Sequence, residues 1–171
     1  YFYSIDYQRD FKSKFRDSRI LISISGDSGS GKDTLADGIR LILGDEYSTK
    51  INGDDFHLFE RTSSKWNEIT HLNPKGNNLY KLSTTVTNLL NGKNIKIKEY
   101  NHQNGLFDKE RMLLSKDFLI LNSLHGLYIK KINQLSNLKI FLNPDKELKR
   151  KWKIERDTVT RNKNSHEVEK Q

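Results

Sequence analysis

Gly26-Asp27-Ser28-Gly29-Ser30-Gly31-Lys32-Asp33-Thr34 has the residue types and spacing that hold an anion: two glycines separated by four residues, then a lysine. Successive backbone N–H groups in such a turn can curl round a phosphate, and glycine permits the positive φ and close approach this needs. Lys32 then reaches the β- and γ-phosphates of a nucleotide as a point charge. The pattern asks for Ser or Thr after the lysine, as a magnesium ligand; here Asp33 stands there and Thr34 follows. A carboxylate about 4 Å from a phosphate charge costs roughly 4 kcal/mol at an effective dielectric of about 20. Asp33 is therefore expected either to share the metal or to turn away, where the positive end of a helix dipole favours it.

A second set of polar groups follows later in the chain: Asp54-Asp55-Phe56-His57, then Arg61, His71, Tyr100 and His102. A carboxylate just past a strand end can orient and deprotonate a hydroxyl. Taken alone, an Asp-Asp pair after a strand is more often a cap or turn. Each histidine alone is more often a structural hydrogen-bonder than a ligand.

The elements that position these groups follow from periodicity. The apolar run Ile20-Leu21-Ile22-Ser23-Ile24 predicts a buried strand over 19–25. Leu35, Ala36, Ile39, Ile42 and Leu43 predict a helix over about 33–43, closed by Gly44. A Gly/Ser-rich loop that only caps a helix is the competing reading of 26–34, and this strand-loop-helix context weighs against it. Further strands are predicted at 47–52, 117–121 and 138–142. Helices are predicted from Asn78 to Leu90 and from about Asp145 to Asn162, and a hairpin over 95–107. Residues 60–77 lack periodicity and read as a substrate-facing loop. Tyr7, Phe11 and Phe15 suggest an amphipathic N-terminal extension over 1–18. The fold class is α/β: a three-layer, P-loop NTPase-type, mostly parallel sheet with helices on both faces and a small hairpin on its flank. Ligands of such sheets bind beyond the carboxyl ends of the strands, where the candidate groups fall.

With 171 residues, 34% of them hydrophobic, the chain suits a single domain, 1–171. It has no cysteine, which removes disulfides and thiolate metal sites and suits a reducing cytoplasm. No apolar run approaches membrane-spanning length. The formal charge of +8 is spread out apart from 146–161, so it serves anionic small molecules as readily as nucleic acid. Neither a membrane nor a nucleic acid is the expected partner.

From about residue 19 onward the sequence resembles the phosphoribulokinase/uridine kinase family of P-loop kinases. Six blocks carry the resemblance in order: Gly26 to Thr34; Asp54-Asp55-Phe56-His57 with Arg61; Thr70-His71-Leu72-Asn73-Pro74 with Asn77-Asn78; Tyr100-Asn101-His102 with Gly105; Leu124-His125-Gly126-Leu127-Tyr128; and Trp152-Lys153-Ile154-Glu155-Arg156-Asp157 with Arg161. The fourth and fifth lean toward phosphoribulokinases.

The resemblance implies an ATP- and Mg2+-dependent kinase acting on a small-molecule phosphoryl acceptor, with Asp54 as the catalytic carboxylate. It places His57 and Arg61 on the substrate, and His71, Tyr100 and His102 in blocks lining the acceptor pocket. Lys153, Arg156 and Arg161 match a lid helix over the nucleotide, although a solvated basic helix face has the same composition. The family continues beyond this helix, so the chain is expected to be a module of a longer protein or part of a homo-oligomer.

The sequence departs from the pattern at Asp33, at Asn122-Ser123, where the family has an acidic residue and a glycine, and at Asn162, where the lid has a glycine. Asn122 can hold a water on magnesium but cannot act as a base. Asp33 and Asn122 together form the expected metal side of the site, one acidic group lost and one gained. They also motivate the rival expectation of a nucleotide-binding regulatory or scaffold domain with impaired catalysis.

Overall fold

The computed structural model describes residues 18–159, with backbone alone for 153–159. Residues assigned above to the N-terminal extension lie outside this range up to 17, as do Arg161 and Asn162.

Four parallel strands make the main sheet, in the order β2-β5-β1-β6: β1 is Ile20–Gly26, β2 Ser48–Asn52, β5 Phe118–Asn122 and β6 Leu138–Leu142. The register aligns Ile22 with Ile120 and Ile24 with Asn122 on one side of β1, and Ile24 with Ile140 on the other. Strands buried on both faces need continuous apolar runs, which β1 and β5 supply.

Alternation along the strands divides the core in two. Ile20, Ile22, Ile24, Phe118 and Ile120 face helix α1 (Lys32–Leu43) through Leu35, Ala36, Ile39 and Leu43. Leu21, Ile51, Leu119 and Leu121 face the opposite way. They meet Leu82, Val86 and Leu89 of α3 (Leu79–Leu90) and Ile132 of α4 (Lys130–Leu135). Helices therefore cover both faces, as expected. Burying each of these side chains contributes about 1.5–3 kcal/mol.

The predicted hairpin is present as β3 (Ile95–Asn101) and β4 (Leu106–Leu113), an antiparallel pair with an irregularity between Lys98 and Tyr100. Ile97 and Leu113 fix it to the α3 side of the core. Gly44 closes α1 at φ 88°, its N–H donating to the Arg40 carbonyl, and the Asn78 side chain caps α3 by accepting from the Lys81 N–H.

The 60–77 stretch is less irregular than its composition indicated. It contains a one-turn helix, α2 (Lys65–Glu68), and a 3-10 turn at Pro74–Gly76, which Asn73 caps through the Lys75 N–H. A Cβ on Gly76 would stand 2.5 Å from the Thr70 carbonyl oxygen, so the folded-back loop requires glycine there. The basic helix α5 is Lys146–Val159.

Candidate active site

The loop after β1 makes the predicted curl. Gly26 lies at φ 151°, where a Cβ would stand 2.4 Å from the Leu142 carbonyl oxygen on β6, and Gly31, at φ 86°, is the N-cap of α1. The Ser30 N–H donates to the Asp27 carbonyl at 3.2 Å, closing the turn. Lys32 Nζ donates to the same carbonyl at 2.7 Å, so its ammonium lies along the curl. The basic helix also reaches the loop: Lys149 Nζ is 2.5 Å from Asp27 Oδ2, and the Trp152 ring is 3.8 Å from where a Gly31 Cβ would be.

Asn122 ends β5 directly beside α1. Its Nδ2 donates to Asp33 Oδ1 at 2.6 Å, and Lys50 Nζ stands 3.4 Å from the same oxygen and 2.8 Å from Asp37. Among the described residues Asn122 Oδ1 is buried with no hydrogen-bond partner, as is Oδ1 of Asn52, its register neighbour on β2. A carboxylate and two unsatisfied carbonyl oxygens are hard oxygen donors of the kind Mg2+ prefers, so the residues present fit that ion.

Beyond β2 the chain turns through Gly53–Phe56. Gly53 packs so closely on Ser123 that a Cβ would be 2.3 Å from its Oγ, which locks the ends of β2 and β5 together. Asp54 consequently sits on the same sheet rim as the loop. His102 Nε2 is 3.0 Å from Asp54 Oδ2, and His57 Nε2 is 3.7 Å from Oδ1. Burial pushes the Asp54 carboxyl up, but the His102 hydrogen bond and the charges of His57, His102 and His71 outweigh it and hold the group below the ordinary carboxylate range.

His57 is enclosed by rings: Tyr100 at 4.7 Å, His71 at 5.3 Å and Trp66 at 5.9 Å between centroids. Burial lowers its pKa, against the opposing effects of the Asp54 charge and the Asn77 hydrogen bond. Its tautomer follows from Asn77. Both Asn77 Nδ2 bonds are donated to backbone carbonyls, of His71 and Asn73, so the Asn77 Oδ1 that lies 2.8 Å from His57 Nδ1 must accept. Neutral His57 thus carries its proton on Nδ1 and turns the Nε2 lone pair toward Asp54. Two acceptors facing each other at 3.7 Å compete for one external donor; a hydroxyl, with its single O–H, satisfies one of them or bridges both in a three-centre bond.

Asp55, by contrast, is structural. Its carboxylate accepts from the Tyr100 N–H and from Arg111 Nη2, both at 2.9 Å, and so anchors β3 and β4 to the turn that carries Asp54. Burial raises its pKa despite the Tyr100 and Arg111 bonds.

The sequence matches the phosphoribulokinase / uridine kinase family over residues 21–171. The chain belongs to that family. It is 32% identical over 145 residues to a phosphoribulokinase of Synechocystis sp., covering 85% of this chain and 44% of that protein. To the uridine kinase of Saccharomyces cerevisiae it is 27% identical over 147 residues, covering 82% of this chain and 29% of that one. It thus spans less than half the length of either. Among solved structures, the phosphoribulokinase from Rhodobacter spheroides superposes with a TM-score of 0.66 at 24% identity, covering 88% of this chain and 61% of that one, a likeness of fold.

Of the residues the family resemblance singled out, Asp54, His57, His71, Tyr100 and His102 lie in one cluster of mutual contacts. Arg61 borders it: Nη2 donates to the His102 carbonyl at 3.1 Å, and its side chain lies against Gly105 in the hairpin turn. Gly26 to Thr34 form the loop and first turn of α1, with Thr34 exposed. Lys153 and Arg156 are on α5, whose start lies against the loop; Arg161 is outside the described residues. Residue types and spacing gave no warning of Trp66 or Lys50, whereas Asn77 lies in one of the family-like blocks and Lys149 in the basic run 146–161.

Proposed function

We propose that this chain is the catalytic part of an ATP-dependent kinase that transfers the γ-phosphoryl group to a hydroxyl of a small sugar phosphate or, as the second choice, a nucleoside. The observation that carries this reading is Asp54: a carboxylate kept ionised by His102, on the sheet rim that also bears the loop. Similarity to phosphoribulokinases and a cluster of histidines beside Arg61 favour an anionic acceptor.

In this reading the loop N–H groups and Lys32 bind the phosphates, Lys32 exchanging the Asp27 carbonyl for phosphate oxygen. A divalent ion near Asp33 and Asn122 supplies charge neutralisation when bound. Asp54 Oδ1 accepts the O–H of the acceptor hydroxyl, with His57 Nε2 flanking that bond, and the Trp66, Tyr100 and His71 rings limit water. The acceptor oxygen bonds to γ-phosphorus as the bond to the β-phosphate oxygen breaks, its electron pair leaving with ADP. With its carboxyl held below the ordinary carboxylate range, Asp54 orients the hydroxyl first and takes its proton late, as the oxygen loses basicity.

The test is acceptor-dependent ADP formation across pentulose phosphates, other sugar phosphates and pyrimidine nucleosides, with Asp54→Asn alongside. A rate that needs an acceptor and falls about 10²- to 10⁴-fold in the variant supports the reading. Nucleotide binding with no turnover on any acceptor favours the regulatory or scaffold role instead.

A further inference from the structure

P-loop proteins ordinarily hold their metal with a hydroxyl after the loop lysine and a carboxylate at a nearby strand end. Here the carboxylate, Asp33, follows the lysine, and the neutral group, Asn122, ends the strand. The structure brings the two into contact at 2.6 Å. That bond fixes the Asn122 amide with Nδ2 toward α1. Its Oδ1 is buried and has no partner among the described residues, in a residue 7% exposed. Such an oxygen is uncommon in folded proteins and is ordinarily met by a bound water or an ion.

Asn52 repeats the feature on the neighbouring strand. It is the register partner of Asn122, so both side chains leave the sheet on the α1 face, and its Oδ1 is also buried with no partner among the described residues. Lys50, two residues earlier on that face, is only 15% exposed along its side chain, and its ammonium is shared by Asp33 and Asp37. Both described contacts of Asp33 go to Oδ1, while its side chain is 73% exposed.

We propose that the anionic ligand for the nucleotide's divalent cation has been transposed in this chain from the end of β5 to the first turn of α1. Asp33 supplies the charge, and Asn122, held in place by Asp33, supplies a neutral carbonyl oxygen. Lys50 offsets the carboxylates of α1 while no metal is bound, which allows Asp33 to sit beside a phosphate site. The inference rests on the loop binding a nucleotide, as proposed above.

The experiment measures the affinity of the full chain for ADP and for β,γ-imido-ATP by calorimetry, in Mg2+ and in EDTA. The ratio of the two is the metal-dependent gain. Asp33→Asn, which is nearly isosteric and on an exposed side chain, is expected to cut the gain about tenfold to a hundredfold while leaving the affinity in EDTA equal or tighter. The double variant Asp33→Thr/Asn122→Asp, which returns the carboxylate to the strand, is expected to recover the gain that Asp33→Thr alone loses. A purely structural Asp33–Asn122 bond would not be rescued by that exchange. A gain unchanged in Asp33→Asn, or a double variant no better than Asp33→Thr alone while both melt cooperatively, overturns the transposition. Failure of the unmodified chain to bind either nucleotide in Mg2+ or EDTA overturns the kinase reading itself, which separates the two ideas.

Discussion

Asp54 is held asymmetrically: His102 Nε2 lies 3.0 Å from Oδ2, while His57 Nε2 faces Oδ1 across 3.7 Å. One oxygen is engaged and the other has a gap suited to a donor from outside. His102→Ala removes the hydrogen bond that counters burial, so the Asp54 pKa rises. In the proposed mechanism the ionised form is the working one, so the acid limb of kcat/KM is expected to move to higher pH. A pH–rate profile of the variant against the unmodified chain checks the direction.

Asn77→Leu removes the acceptor that places the His57 proton on Nδ1. The Nε2 lone pair then no longer faces Asp54 in a fixed way, and KM for the acceptor is expected to rise several-fold more than kcat falls. The ring's tautomer, read by 15N–1H correlation on the imidazole, should change in the same variant. Leaving the His71 and Asn73 carbonyls without the Asn77 amide should also cost stability, about 1–3 kcal/mol.

The depressed His57 pKa makes a stability prediction with a definite sign. The unfolded state takes up the proton near the ordinary value of about 6.5, whereas the folded state resists it. This contribution is fully present above about pH 6.5 and is lost as pH falls toward the lower, folded value. Urea unfolding at pH 7.5 and pH 5.5 should show the loss, and His57→Gln should reduce it.

Arg111→Met removes the charged partner of a carboxylate whose side chain is 2% exposed and leaves it the Tyr100 N–H bond. The expected cost is about 3 kcal/mol, the lower end for a broken buried pair because Arg111 itself is 30% exposed. Hydrogen exchange should quicken in β3 and β4 more than in β1 and β5. Adjacent aspartates thus separate by assay: Asp54→Asn in turnover, the Asp55–Arg111 pair in stability.

Legibility in the sequence followed the range of the interactions concerned. Ile20 to Ile24 and Phe118 to Leu121 are runs whose burial needs no knowledge of their neighbours, and Gly26 to Lys32 is a local geometry written in consecutive residues. Asn78 and Gly44 mark helix ends by their own chemistry. The pair formed by Asn122 and Asp33 joins residues 89 apart in the chain, and Arg111 meets Asp55 across 56, so only folding reveals which polar residues find each other. Lys50 was hidden for another reason: a lysine in a predicted strand reads as a solvent-facing position, and nothing local shows that two α1 carboxylates await it. Trp66 sits in the single helical turn of a stretch without periodicity, so its place against His71 depended on a loop fold that composition does not encode.

Both tryptophans of the chain are placed at the site, but at different ends of it: Trp152 against Gly31 of the loop, Trp66 stacked on His71 in the cluster around Asp54. The molecule therefore carries one tryptophan beside each of the two places proposed for nucleotide and acceptor. With Trp66→Phe and Trp152→Phe, emission changes during stopped-flow mixing become separable, and the order in which nucleotide and acceptor arrive can be followed without any attached label.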